Sequence, residues 1–306
     1  MQAIVSTKQG FHLQKVAKPV HGNYEVLINV YASTVTRGDV VLSSLPGIMY
    51  WMPVRKLIGM PPKKTTPGHE FAGVVEAVGQ RVTRFKVGDA VFGTTTGLAA
   101  GANAEYVCVP ETWHSGVILP KPESLSFEEA AVLPVGGMTA LYLLKKANVQ
   151  RDEKVLIYGA SGSVGSYAVQ LAQYFGADVT GVASTRNLDL IQSLGAHHII
   201  DYTQEDFTQG NHVYDVIFDA VGKVSSKETQ RVLRQDGRFV SIRESTHEST
   251  EALVFLADLT ASGEIKPVID RCYPLAQIAE AYKYVKSGHK VGNVVIQVGE
   301  QSQENK

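Results

Sequence analysis

Cysteine is almost missing from this chain. Only Cys108 and Cys272 occur in 306 residues, too few for a disulfide framework or a four-cysteine zinc lobe. Each reads as a small core or interface residue rather than a nucleophile. An excess of one charge is missing too: 29 Lys and Arg against 30 Asp and Glu leave a formal net charge of -1. That balance provides no electrostatic footprint for nucleic acid or an anionic membrane, so small molecules or further subunits are the expected partners. Nowhere do the roughly 18 apolar residues of a membrane-spanning helix run together. The opening "MQAIVSTKQG" reads as a strand, without a basic-then-apolar signal segment, and the protein is expected in the cytoplasm. Repeats and low-complexity tracts are also lacking, and only "GEQSQENK" looks frayed. What is present, 44% hydrophobic and 19% charged residues, is the balance of a globular protein with a sizeable core, as one large or two ordinary domains.

The first 120 or so residues are punctuated by Gly and Pro and carry short β-branched runs such as "EVLINVYAS", "FAGVVEAVG" and "AEYVCVP", the pattern of a barrel or sandwich. From Phe127 the period changes. "SFEEAAVLPVGGMTALYLLKKA" has apolar residues at helical spacing, with Ser126 as N-cap and Glu128 and Glu129 in the first turn. Strands and helices then alternate through "KVLIYG", "VGSYAVQLAQYFG", "DVTGVA", "RNLDLIQSLGA", "HHII", "YDVIFDAVG", "SSKETQRVLRQDG" and "RFVSI". Such alternation implies right-handed βαβ crossovers and a parallel sheet covered on both faces. "LAQIAEAYKYVKSG" reads as a closing helix and "GNVVIQV" as a closing strand.

Within "YGASGSVG", the loop Gly159, Ala160, Ser161, Gly162, Ser163, Val164 and Gly165 stands between a strand and a helix and spaces its glycines G-x-x-G-x-x-G. This is a variant of the dinucleotide fingerprint, in which one glycine turns the chain, one admits the pyrophosphate to backbone N–H groups and one lets helix pack on strand. A glycine turn serving only strand–helix packing is the alternative; the βαβαβ context favours a bound dinucleotide. After the second strand, where an NAD site places an acid, the chain has "GVASTRN". Ser184 and Thr185 offer hydroxyls and Arg186 pairs with a 2′-phosphate, so NADPH is expected. The competing reading is that Ser184 or Thr185 caps the next helix and Arg186 is solvated.

"PGHEFAGVVEAVG", "VTRFKVGDAVFG", "AEYVCVP", "AVLPVGGMTALYLL", "VLIYGASGSVGSYAVQLA" and "GHKVGNVVIQV", in this order, resemble the medium-chain dehydrogenase/reductase superfamily in its zinc-free quinone oxidoreductase branch, over nearly the whole chain. The resemblance implies an α/β fold: a GroES-like β-barrel catalytic domain (1–122 plus 268–306) and a Rossmann parallel-sheet NADP-binding domain (123–267), with the active site in the cleft between them. By position, the glycine loop, Ser184, Arg186 and Tyr202 would hold the adenosine phosphates of NADPH, and Thr139, Val221 and Gly222 would lie along ribose and nicotinamide.

Zinc-dependent relatives use the His and Glu of "GHE" with two cysteines. Here "GHE" survives as Gly68, His69 and Glu70, but the cysteine positions correspond to Thr36 and Val135, leaving too few ligands for a catalytic zinc. The implied chemistry is direct hydride transfer from NADPH to a quinone or an α,β-unsaturated carbonyl, with no metal. Thr36 is the candidate donor to the developing oxyanion, in place of the relatives' Asn-Pro pair. His69 reads either as a hydrogen-bonded structural histidine or as a polar group lining the cleft, and Asp39 as a tether of the following turn or as an acid. Tyr50 and Trp51, in the apolar segment "LSSLPGIMYWMPVRKLIGMPPKK", are candidate substrate contacts if that segment walls the pocket rather than packing on the barrel.

After "GRFVSI" the family continues through a further apolar helix and a last sheet strand that this chain lacks. The Rossmann sheet should therefore end one strand early, and the protein should be a monomer or an atypical homodimer. Two other functions stay open: an NADPH-binding protein with weak or no catalysis, and an alcohol dehydrogenase.

Overall fold

The computed structural model describes residues 1–7, 10–43 and 66–299. The chain divides into two compact units, Met1–Pro134 with Ile269–Lys306, and Val135–Val268. The first unit opens with a hairpin of β1 (Gln2–Thr7) and β2 (Gly10–Lys15). β3 (Glu25–Thr34) follows, rich in β-branched residues, and leads into α1 (Arg37–Ser43). β4 (Glu70–Val78) and β5 (Ala90–Thr94) add antiparallel to β3 in turn, β6 (Tyr106–Pro110) returns to the first half of β3, and β7 (Ile118–Pro120) closes on β5. Val26, Ile28, Val30, Phe71, Val75 and Val91 alternate inward from these strands and form one core.

Ser126 caps α2 (Phe127–Ala131) as its sequence predicts: its hydroxyl accepts from Glu129 N, and Glu129 Oε2 accepts from Ser126 N. The single long helix expected here is two. Pro134 has no N–H to donate and turns the preceding residue out of the helix, so α3 (Pro134–Lys146) starts afresh. Because α2 packs on β3 and β4, it belongs with the first unit, and the chain divides after Pro134 rather than at 122/123.

The second unit alternates β8 (Lys154–Tyr158), α4 (Ser163–Tyr174), β9 (Asp178–Ala183), α5 (Leu188–Ser193), β10 (His198–Asp201), β11 (Tyr214–Asp219), α6 (Ser226–Thr229), β12 (Leu233–Ser241) and α7 (Thr250–Ala261). Its sheet is wholly parallel, in the order β10-β9-β8-β11-β12. Among the described residues this is the doubly wound order without its sixth strand, as the shortened sequence after Ile242 implies. One expectation fails. The pattern of "SSKETQRVLRQDG" predicts a helix, yet only its first turn is helical. Tyr214 N donates to Val232 O and Tyr214 pairs with Leu233, so β11 draws the rest of that segment into β12.

The chain then rejoins the first unit through β13 (Ile269–Pro274), α8 (Ile278–Lys286) and β14 (Asn293–Gln297). β14 pairs with the second half of β3, completing the sheet order β13-β14-β3-β4-β5-β7. Ile278, Ala281, Tyr282 and Val285 of α8 pack with Val35 and Val40 around the start of α1. No helix among the described residues is long and apolar enough to cross a membrane.

Candidate functional site

In the second unit the glycine loop forms at the carboxyl end of β8, the central strand. Gly159 takes φ +80, a conformation open to glycine, and the N–H groups of Gly159 and Ala160 both donate to Val182 O on β9 (3.1 and 3.0 Å). The three glycines have different reasons. A Cβ on Gly165 would lie 2.1 Å from Gly159 O, and one on Gly159 2.3 Å from Val221 Cγ2, so both are fixed by close packing. A Cβ on Gly162 would meet only Gly159 O, at an ordinary 3.4 Å. Packing does not demand a glycine there. Gly162 is the N-cap of α4, with no side chain bonded across the cap. That open ground before the positive end of a three-turn helix fits a dinucleotide pyrophosphate. Gly165→Ala is expected to force helix from strand, destabilising the protein by about 1–3 kcal/mol and weakening dinucleotide binding, both readable by thermal melts with and without NADPH.

At the end of β9, the capping alternative is not realised: Ser184 makes no side-chain cap bond, and Thr185 Oγ1 donates to Asp201 Oδ2 (2.5 Å) and meets Thr203 Oγ1 (3.1 Å). Sequence reasoning missed two partners here. Buried Asn187 directs Nδ2 to both Ser161 Oγ (3.1 Å) and Ser184 Oγ (3.3 Å), tying the glycine loop to the end of β9. Asp201 arrives through the β9–β10 pairing, where it stands opposite Ala183. Hydrogen bonds from Thr185 and Thr203 hold its carboxyl below the usual range. Both its oxygens are engaged by those threonines. Arg186 and Tyr202 are exposed at the same strand ends. Gly136 of α3 abuts α4, since a Cβ there would lie 2.5 Å from Ser163 Oγ; Thr139, three residues on, is on the same side of α3.

On the other flank of the loop, Asp219 ends β11 fully buried. Its Oδ1 accepts from Val221 N (3.0 Å) and Gly222 N (2.9 Å), and its Oδ2 from Val224 N (3.2 Å) and Ser241 Oγ (3.2 Å). The "DAVG" turn is thus wound around one carboxylate.

In the first unit a second polar cluster forms where α1 begins and β4 starts. His69 Nδ1 lies 2.6 Å from Asp39 Oδ1. Asp39 Oδ2 accepts from Thr36 N (2.8 Å) and Thr36 Oγ1 (2.7 Å). Burial alone would raise the Asp39 pKa; the His69 charge and the hydrogen bonds from His69 and Thr36 outweigh it and hold the carboxyl low. The Asp39 side chain is 2% exposed and that of His69 21%, so the imidazole is the part that reaches outward. The Thr36 hydroxyl proton goes to Asp39, leaving it none for a substrate oxygen. Glu70 Oε2 accepts from Thr34 Oγ1 (2.6 Å). Burial pushes the Lys290 ammonium down to about 8 against the opposing pull of Asp270 and Glu70; Lys290 is a further residue that sequence reasoning missed.

Of the four ligand positions that the resemblance implies, Thr36 gives its hydroxyl proton to Asp39 and Val135 has no ligating atom in its side chain, leaving only His69 and Glu70. The donor set does not fit a catalytic zinc. Among the described residues no group of three or more His, Cys, Asp or Glu side chains could hold a metal ion. Burial lifts the Cys108 thiol to about 11, away from thiolate chemistry. Tyr50 and Trp51 lie outside the described residues.

A family model described as "Alcohol dehydrogenase GroES-like domain" matches residues 22–123, and two described as "Zinc-binding dehydrogenase" match 163–266 and 243–296. The chain is 36% identical over 254 residues to a 2-methylene-furan-3-one reductase of Solanum lycopersicum, a match covering 77% of this chain and 64% of that protein. The chain therefore spans a little under two thirds of that relative. It is 31% identical to a quinone oxidoreductase of Sus scrofa over 88% of this chain and 87% of that one. The structure of a quinone oxidoreductase from Coxiella burnetii superposes with a TM-score of 0.86 at 28% identity, covering 98% of this chain and 99% of that one. Two units with these topologies, a glycine cradle on the central strand and similarity to the porcine protein over nearly nine tenths of each chain place the chain in the medium-chain dehydrogenase/reductase superfamily, among its quinone oxidoreductase-like members.

Proposed function

We propose that the protein is an NADPH-dependent oxidoreductase that reduces quinones or α,β-unsaturated carbonyls without a metal. The observation that carries this reading is the uncapped glycine cradle of Gly159–Gly165, with Ser184, Arg186 and Tyr202 on one flank and Val221 and Gly222 on the other. When bound, the cofactor supplies a hydride to the electrophilic carbon of the acceptor; the chain supplies orientation, exclusion of water and a proton. Thr139 belongs to the same cofactor set. His69 is the proton source in this reading. Asp39 holds Nδ1 at 2.6 Å, which leaves Nε2 as the atom that delivers the proton balancing the hydride. Thr36 is a positioning residue, because its hydroxyl serves Asp39. Tyr50 and Trp51 stay candidate substrate contacts, and a cytoplasmic monomer or atypical homodimer completes the reading.

Arg186 favours a 2′-phosphate, while Asp201 keeps its charge with both oxygens turned to Thr185 and Thr203. Arg186→Ala is expected to weaken NADPH about 10- to 30-fold, the loss of one charge-assisted pairing, while leaving NADH within about twofold. The test of the function is NADPH oxidation against a panel of quinones and enones, with a chelator present and NADH as control. Chelator-insensitive turnover is the expected result. Tight NADPH binding without turnover would instead support the binding-protein alternative, and loss of turnover on chelation would reinstate a zinc alcohol dehydrogenase.

A further inference from the structure

The segment that follows β12 does not cross to a sixth strand. It folds back onto the "DAVG" turn. Ile242 N donates to Asp219 O (3.1 Å), the Ser241 hydroxyl donates to the Asp219 carboxylate, and Arg243 N donates to Ser241 Oγ (3.3 Å). Glu244 accepts from Ser241 N (2.9 Å) and pairs with Lys146. This anchoring directs Arg243 Nε to the carbonyl of Gly222 at 2.7 Å. Gly222 itself takes φ +75, and a Cβ there would already touch Arg243 Cγ at 3.4 Å. Asp219 therefore gathers the inward N–H groups of the turn, and Arg243 holds its carbonyl side. Between them they engage the N–H groups of Val221, Gly222 and Val224 and the carbonyl of Gly222.

The position of this turn matters because of strand order. The glycine loop caps β8, the Ser184–Arg186 flank lies on the β9 side, and the turn lies on the β11 side, where Val221 Cγ2 occupies the space a Gly159 Cβ would take. A dinucleotide centred on the β8 loop and spread across the carboxyl edge of the sheet, with its 2′-phosphate at Arg186, must send its nicotinamide half to β11 and β12. We infer that Arg243 is a positioning residue for the nicotinamide half of the cofactor: by bracing the Gly222 carbonyl it fixes the turn against which that half lies.

This inference rests on the cofactor site proposed above, and the test separates the two. Dissociation constants for NADPH and for the fragment 2′,5′-ADP, which has no nicotinamide, are measured by fluorescence or calorimetry on wild type, Arg243→Ala and Arg243→Lys. Arg243 is exposed, so both variants are expected to fold, which melting of the ligand-free proteins verifies. The expected result is a loss of about tenfold for NADPH in the alanine variant with 2′,5′-ADP unchanged, and substantial recovery of NADPH affinity in the lysine variant, whose ammonium can still reach the carbonyl. Parallel weakening of both ligands, or no change in either, would overturn the role of Arg243 while leaving the cofactor site standing. Failure of the wild type to bind either ligand would overturn both.

Discussion

His69→Gln is expected to lower kcat by about 100-fold or more while leaving the NADPH dissociation constant within a factor of about two. Glutamine keeps a donor for Asp39, so the pairing that holds the start of α1 survives and the fold is preserved. What it lacks is a second ring nitrogen able to carry a proton outward. The loss should therefore fall on the step that consumes the proton and not on cofactor affinity, because His69 belongs to the first unit and the cradle to the second. Asp39→Asn makes a useful companion. It removes the carboxylate that orients the imidazole, and it turns an N–H group toward donors that need an acceptor. Steady-state kinetics with a fixed enone and a binding titration distinguish the outcomes. Unchanged kcat in His69→Gln would return His69 to the structural role that the sequence also permits.

Asp219→Ala should have the larger effect on stability. Removing this carboxylate orphans the N–H groups of Val221, Gly222 and Val224 and the hydroxyl of Ser241 at once. Each buried unsatisfied donor costs about 1–3 kcal/mol, tempered by water entering the half-exposed turn. A total of roughly 3–5 kcal/mol is expected, a fall of about 10 °C in the thermal midpoint. Asp219→Asn should fall between wild type and alanine. Its carbonyl oxygen still receives Val221 and Gly222, but its amide faces the Val224 N–H, a donor meeting a donor. A midpoint for Asp219→Ala within about 2 °C of wild type would mean that the turn does not depend on this carboxylate.

Periodicity and glycine spacing expose much of the fold without coordinates. The β-branched runs of the first unit, the alternation of the second and the Ser126 capping box are read from local pattern, since each depends on residues within a few positions of one another, whereas the early end of the parallel sheet is read from the resemblance to the family. Two local readings fail for identifiable reasons. Pro134 breaks a helix that apolar spacing alone would continue, and the segment after Thr229 leaves its helical pattern because β11 offers it backbone partners. In both cases a constraint on backbone hydrogen bonding overrides side-chain periodicity.

The candidate site divides along the same line. Gly159, Gly162 and Gly165, and separately Ser184 and Arg186, are legible as candidates because each group falls within a few residues at a strand–helix junction, the first after β8 and the second after β9. The pairing of Asp39 with His69, the bridge from Asn187 to Ser161 and Ser184, the approach of Asp201 to Thr185, and the hold of Asp219 and Arg243 on the "DAVG" turn join residues 16 to 30 positions apart, apart from the short-range bonds within each turn. Sequence alone determined the architecture and the cofactor loop, because these follow from local propensity and spacing. Which hydroxyl gives its proton to which carboxylate was decided only by tertiary structure, because strand register and helix packing bring those groups within hydrogen-bond reach.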